Sequence, residues 1–130
     1  MLKNSKNEFY QKSQISQNFE KLIDKKYINS DIDNLIKSLI NSERIFVFIK
    51  GSPEFPYCKF TKKLIKYLNE KKVEYGHFNI FTNQNLRERL KVYSNWKTYP
   101  QLYIEGKLIG GNDTIEQLEK LGEMNKLLYK

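Results

Sequence analysis

Cysteine is the scarcest useful residue in this chain: Cys58 is the only one in 130 residues, alongside a single histidine and a single tryptophan. One thiol closes no internal disulfide, so the cross-linked scaffolds of secreted proteins are excluded and a reducing compartment fits better. A Cys/His zinc spacing is equally out of reach. Long apolar runs are missing too. Nothing approaches the roughly 18 to 20 residues that a bilayer crossing needs, and Met1 to Ser30 lacks the apolar core of a secretory signal.

Acidic residues are the minority, 15 against 23 Lys and Arg, for a formal net charge of +8. Clustered cations bind nucleic acid by releasing counterions. Here the lysines are spread along the chain and interleaved with Glu and Asp, and no aromatic-basic ribonucleoprotein motif accompanies them, so a solvated lysine-rich surface is the better reading. What remains is enough apolar residue for one core in one domain.

Two regions differ in pattern. Residues 1–30 are polar and rich in Lys, Asn, Gln and Ser, which reads as an N-terminal extension, targeting or disordered. Its lysines and serines suit an import signal, whereas the missing arginine and the presence of Glu8, Glu20 and Asp24 do not. From Asp31 the pattern is regular and reads as one domain over residues 31–130. Ile32, Leu35, Ile36 and Leu39 predict a helix over Asp31 to Asn41 behind a Ser30-Asp31 cap. The run "RIFVFIKG", Arg44 to Gly51, predicts a buried strand, and the prolines of "SPEFP" a loop. Phe60, Leu64, Ile65 and Leu68 place a second helix over about Lys59 to Glu70, followed by a strand over Val73 to Ile80 and a third helix over about Asn85 to Tyr93. "QLYIEGKLIGG" predicts a β hairpin turning at Glu105-Gly106. Asp113 and Glu116 predict a capping box opening the next helix, with Gly122 ending it before a short last helix from Glu123. The order α, β, α, β, α, β, β, α predicts an α/β fold with one mixed four-stranded sheet flanked by helices on both faces.

That order places Cys58 between the first strand and the second helix, at a helix N-terminus. Unsatisfied N–H groups and the helix dipole favour a thiolate there, and Lys50 and Lys59 add positive charge. A buried inert cysteine is the alternative, but "PEFPYCKFT" is a polar loop rather than an apolar face. Tyr99-Pro100 opens the third strand, where proline is tolerated in either isomer. "GGNDTIE" offers either a plain turn and cap or an N-terminus that takes a carboxylate. His77, in a strand segment, reads as a half-exposed packing residue, and Trp96 as structural.

Together, "KGSPEFPYCKFTKKL", "LKVYSNWKTYPQLYIEGKLIGGND" and the element order resemble the monothiol glutaredoxins, of the thioredoxin fold, over about Asp31 to Tyr129. The family's hallmark is Cys-Gly-Phe-Ser after Lys-Gly-x-Pro, then Ser-Asn-Trp-Pro-Thr-x-Pro-Gln and Gly-Gly-Cys-Asp. The resemblance implies a cis Pro100 and a glutathione site, with the Trp96 region bordering the active-site face. In it Lys50 and Arg87 hold the glycine carboxylate, Tyr99 and Pro100 present backbone to the cysteinyl unit, and Asn112 and Asp113 receive the γ-glutamyl end. It also implies Cys58 as nucleophile and as ligand of a 2Fe-2S cluster, sandwiched in a homodimer by two Cys58 and two glutathione thiols and passed to iron-sulfur apoproteins or assembly factors. Departures from the hallmark are Lys59 for Gly, Thr61 for Ser, Lys97 for Pro and Asn112 for Cys. Thr61 keeps the hydroxyl, while Lys59 crowds such a dimer, repels its counterpart Lys59, or instead pairs with the anionic cluster and glutathione.

Three readings follow from the resemblance: a cluster carrier rather than a catalyst, a glutathione-dependent thiol-disulfide oxidoreductase, and a glutathione-binding module that has lost the cluster. A single domain behind a basic extension resembles organellar, for instance mitochondrial, members, with the cytoplasm as the alternative.

Overall fold

The first helix, α1, begins earlier than its sequence pattern indicates: it spans Lys25–Ile40 rather than starting at Asp31. No glycine or proline interrupts residues 25–31, so the helix runs through Ser30-Asp31 and leaves that capping pair in its interior. The computed structural model describes residues 25–130, and the reading of residues 1–24 as an extension lies outside them. The elements after α1 are β1 (Ile45–Ile49), α2 (Lys59–Lys71), β2 (Gly76–Asn79), a 3-10 turn (Ile80–Thr82), α3 (Gln84–Ser94), β3 (Gln101–Ile104), β4 (Lys107–Gly110), α4 (Asn112–Lys120) and α5 (Glu123–Leu128). The predicted order holds.

The sheet order is β2-β1-β3-β4, with β1 parallel to β2 and antiparallel to β3, and β3 antiparallel to β4. All five residues of β1 are buried because helices cover both of its faces. Ile45, Val47 and Ile49 point to one face, into a cluster with Leu64, Leu68, Ile115, Met124 and Leu128 from α2, α4 and α5. Phe46 and Phe48 point to the other, with Ile36 and Ile40 of α1 and Leu86 and Leu90 of α3. On that second face Phe48 meets Phe46, Phe78 and Tyr103 edge to face at 5.2, 6.1 and 5.6 Å. Each such pair contributes roughly 0.5–1.5 kcal/mol beyond its buried area.

Three further boundaries follow from local chemistry. β2 is shorter than the predicted Val73 to Ile80: Lys72 ends α2 in the left-handed region, Val73 and Tyr75 pack on the core as a lead-in, and Ile80 already belongs to the 3-10 turn. The hairpin turns where expected, with Glu105 at φ 53° and Gly106 at φ 77°, the paired positive angles that match strand twist in a two-residue turn. The capping box does not form. Gly111 is the N-cap of α4, no side chain caps it, and Asp113 lies inside the first turn. Gly122, at φ 74°, separates α4 from α5 as predicted.

Among the described residues no helix is long and apolar enough to cross a membrane.

Candidate functional site

Cys58 is the N-cap of α2, extended at φ −136° and ψ 160°, so the chain leaves the loop and enters the helix at the sulfur itself. Its Sγ accepts from the Thr61 backbone N–H at 3.4 Å and stands 3.4 Å from the Thr61 hydroxyl. That hydroxyl, on a fully buried residue, also accepts from the Lys50 N–H at 3.3 Å, which leaves its own proton free for a thiolate. Burial of the thiol raises its pKa. The Thr61 hydroxyl, the N–H groups of Thr61 and Phe60 and the charge of Lys50 outweigh burial and hold Cys58 below the value of an ordinary thiol. Lys50, not the adjacent Lys59, is the cation that contributes, and the Lys59 ammonium lies over the Phe60 ring, 5.2 Å from the centroid.

Removing the hydroxyl tests this arrangement. Thr61→Val keeps the shape of a buried side chain and deletes the donor, so the pH midpoint for alkylation of Cys58 is expected to rise. A midpoint that does not move would leave the hydroxyl without a part in stabilising the thiolate.

The loop before Cys58 is tightly built. Gly51 bridges to Pro56, Tyr57 N donates to Lys50 O at 2.9 Å, and Ser52 and Phe55 exchange backbone bonds at 3.2 Å each. Asn79 pins it from β2: its Oδ1 accepts from Gly51 N and from Phe81 N, both at 3.0 Å. Sequence reading gave Asn79 no role, and a lone asparagine at a strand end carries no signal for one.

An open groove of about 470 Å³ runs beside this cysteine, and Lys50, Arg87, Tyr99, Pro100, Asn112 and Asp113 all line it. Six residues named from sequence thus meet on one surface. Cys58 is not on the groove wall, but its neighbours Lys50 and Phe60 are. The Tyr99-Pro100 bond is cis. Two details differ from the simplest expectation. The Tyr99 side chain is buried and its hydroxyl donates to Arg87 O at 2.6 Å, leaving the backbone as the part of Tyr99 available to a ligand. Burial, with Tyr103 alongside, pushes that phenol above its usual pKa, so it stays a donor. Asn112 spends its side-chain amide on Phe60 O at 2.8 Å, tying α4 to α2, so its contribution to a ligand is the helix N-terminus.

Lys91, Trp96, Lys97 and Thr98 also line the groove. Lys91 lies four residues after Arg87 on α3, so helical spacing was the signal that would have found it. Trp96, read as structural, contributes an indole Nε1 that is buried without a hydrogen-bond partner, as is Arg87 Nε. Both donors belong to residues of the groove wall, where a buried donor without a partner is out of the ordinary. Gln101, fully buried, holds the Trp96 to Thr98 segment in place: its Nε2 donates to Trp96 O at 3.0 Å and its Oε1 accepts from Tyr103 at 3.0 Å. His77 is exposed on β2, more open than the half-exposed position expected. Among the described residues no group of three or more His, Cys, Asp or Glu is placed to hold a metal ion. A metal or cluster at Cys58 would therefore draw its other ligands from outside this set.

A four-stranded sheet of this order, with a helix-capping thiol after β1 and a cis proline before β3, defines a thioredoxin-fold protein with a single-cysteine site. The glutaredoxin family model matches residues 45–109. Monothiol glutaredoxin-S17 of Arabidopsis thaliana is 45% identical over 93 residues, covering 72% of this chain and 19% of that protein. This chain thus spans about a fifth of that relative's length. Glutaredoxin 4 of Haemophilus ducreyi is 41% identical over 93 residues, 72% of this chain and 87% of that one. Among solved structures, the buckwheat glutaredoxin-glutathione complex superposes with a TM-score of 0.70 at 21% identity, covering 78% of this chain and 90% of that one. The chain belongs to the glutaredoxin family, within its monothiol branch.

Proposed function

We propose that the protein binds glutathione along this groove and uses the Cys58 thiolate beside it to carry a 2Fe-2S cluster shared with a second copy of the chain. The observation that carries the reading is the meeting, beside one lowered-pKa thiol, of two cations with two buried donors that lack partners. Lys50 and Arg87 suit the glycine carboxylate of glutathione, the Tyr99-Pro100 backbone its extended middle, and the uncapped N-terminus of α4 at Asn112 and Asp113 its γ-glutamyl carboxylate. A glutaredoxin of the same fold, from buckwheat, is known as a glutathione complex.

One partly exposed thiolate per chain fits a shared cargo. A cluster takes four soft sulfur ligands, which two Cys58 and two glutathiones supply together. Such a cargo is anionic, so a pair of Lys59 ammoniums flanking it is compatible with the arrangement. Recipients would be iron-sulfur apoproteins or assembly factors.

Glutathione affinity is the first test. Arg87→Ala removes a charged donor and is expected to weaken glutathione binding by about ten- to a hundredfold, the equivalent of roughly 1.5–3 kcal/mol. The second is oxygen-free reconstitution with iron, sulfide and glutathione. Wild type is expected to show cluster absorbance and to run as a dimer, and to do neither when glutathione is omitted.

The lowered thiol pKa favours a second reading, glutathione-dependent disulfide exchange. The Cys58 thiolate attacks the glutathione sulfur of a mixed disulfide and expels the other thiol as its thiolate. A second glutathione then attacks the Cys58-glutathione bond, releasing oxidised glutathione and the free Cys58 thiolate. Turnover in that assay by a protein that takes up no cluster would reverse the ranking.

A further inference from the structure

The groove holds more positive charge than glutathione uses. Four of its side chains are cationic, Lys50, Arg87, Lys91 and Lys97, against the single carboxylate of Asp113, an excess of three positive charges. Glutathione brings two carboxylates and one ammonium at neutral pH, and so offsets only one of them. Lys91 is drawn to Glu88 at 3.4 Å, whereas Lys97 is exposed and has no ion pair among the described residues.

The surface around the sulfur is unusual in a second way. Phe55 and Tyr57, in the loop leading to Cys58, are 80% and 77% exposed, and Phe60, just after it, is 52% exposed. Tyr57 meets Phe81 edge to face at 5.4 Å, and Phe81 in turn lies under the Arg87 guanidinium at 5.2 Å, so the aromatic surface runs on into the groove. Lys59 sits over Phe60 at its rim. Exposed aromatics set this close along the chain mark an interaction surface, and these three lie within three residues of the only cysteine in the chain.

Resting on the glutathione reading above, we infer that this rim docks the polypeptide half of a glutathionylated protein, and that the docking segment is acidic and carries an apolar residue. With glutathione in the groove, the chain bonded to its sulfur leaves beside Cys58, where Phe60 and Lys97 belong to the groove wall and Phe55, Tyr57 and Lys59 flank the cysteine along the chain. Charge complementarity then selects an acidic segment, and the aromatic surface gives it something to bury. A second copy of the chain fits this face poorly without anionic cargo in between, because it sets Lys59 against Lys59 on molecules of formal charge +8. Nucleic acid would match the charge, but supplies no sulfur for the atom that the rim encloses.

Calorimetric titration of the unreactive Cys58→Ser protein tests the assignment. The probes are glutathione itself and two glutathionylated peptides of equal length, each with one leucine, one flanked by glutamates and one by lysines. The acidic peptide is expected to bind about tenfold more tightly than glutathione and the basic one more weakly, with the gap closing at high salt. In Lys59→Glu, an exposed position, the ratio between the two peptides is expected to shrink or invert, read against that variant's own glutathione affinity. Equal affinity of the two peptides overturns the docking inference while leaving the groove reading intact. Failure of glutathione alone to bind overturns both. Displacement of the acidic peptide by an oligonucleotide of the same charge, with equal potency, overturns the polypeptide assignment.

Discussion

Cys58→Ser is expected to abolish both chemistries of the site without unfolding the protein. Cluster absorbance should vanish, because a serine oxygen is a hard and protonated donor where iron-sulfur chemistry calls for a thiolate. Disulfide exchange should fall to the uncatalysed background, since no second thiol in the chain can replace the nucleophile. The fold should persist for a local reason. Cys58 is the N-cap of α2 and its side chain accepts from Thr61 N, the role in which serine is among the preferred residues. The expected signature is a thermal midpoint equal to or above that of wild type together with a dead site. Retention of cluster absorbance in the variant would show that Cys58 is not the ligand.

Gly51→Ala is the second large effect, and it acts through geometry rather than chemistry. Gly51 has φ +93°, and a Cβ there would stand 2.4 Å from Phe55 O and 3.0 Å from Tyr57 N. Both neighbours are backbone, so the collision is relieved only by opening the loop that carries Cys58. The positive φ alone costs on the order of 1–3 kcal/mol in a non-glycine residue, and the collision adds to it. For a domain of this size that means a fall of several degrees in Tm. Opening the loop also loosens the Lys50 and Thr61 contacts that favour the thiolate, so the alkylation midpoint of Cys58 should rise with it. Gly122→Ala is the control. Its φ is +74°, but nothing lies within 4 Å of the added carbon, so it should show a smaller loss of stability and no change at the thiol.

The site was legible wherever a residue's chemistry and its place along the chain sufficed. Cys58 at a helix start, Lys50 at the end of β1, and a glycine pair opening a helix follow from element order, and Arg87, Tyr99, Pro100, Asn112 and Asp113 were named from a family pattern. All but Cys58 line one groove. Less legible was how these side chains are used. Tyr99 and Asn112 spend their polar groups on Arg87 O and Phe60 O, and no sequence pattern announces a hydrogen bond between residues 12 or 52 positions apart. Gln101 and Asn79 carry no sequence signal for the same reason: each matters only through the backbone atoms that folding brings to it.

Helix ends mark the same division. The pattern for α1 located its apolar face correctly but not its start, because a Ser-Asp pair caps a helix only if the chain upstream leaves the helical path. Asp113 had the spacing of a capping box, yet the backbone at Gly111 made that glycine the cap and carried Asp113 into the first turn.

By itself the sequence determined the order of elements, the buried strand at the centre, the single thiol and the basic character of its surroundings, since each depends on residue type and short-range periodicity. Only the tertiary structure decided that Lys50, rather than the adjacent Lys59, supports the thiolate, and that Arg87 and Trp96, each with a buried donor left unpartnered, come together in the wall of one groove. The physical reason is range. Periodicity acts over a few residues of chain, whereas a pKa and a binding groove depend on which charges and donors come within a few ångströms, and that proximity exists only once the sheet has gathered β1, α3, the cis proline and α4 around Cys58.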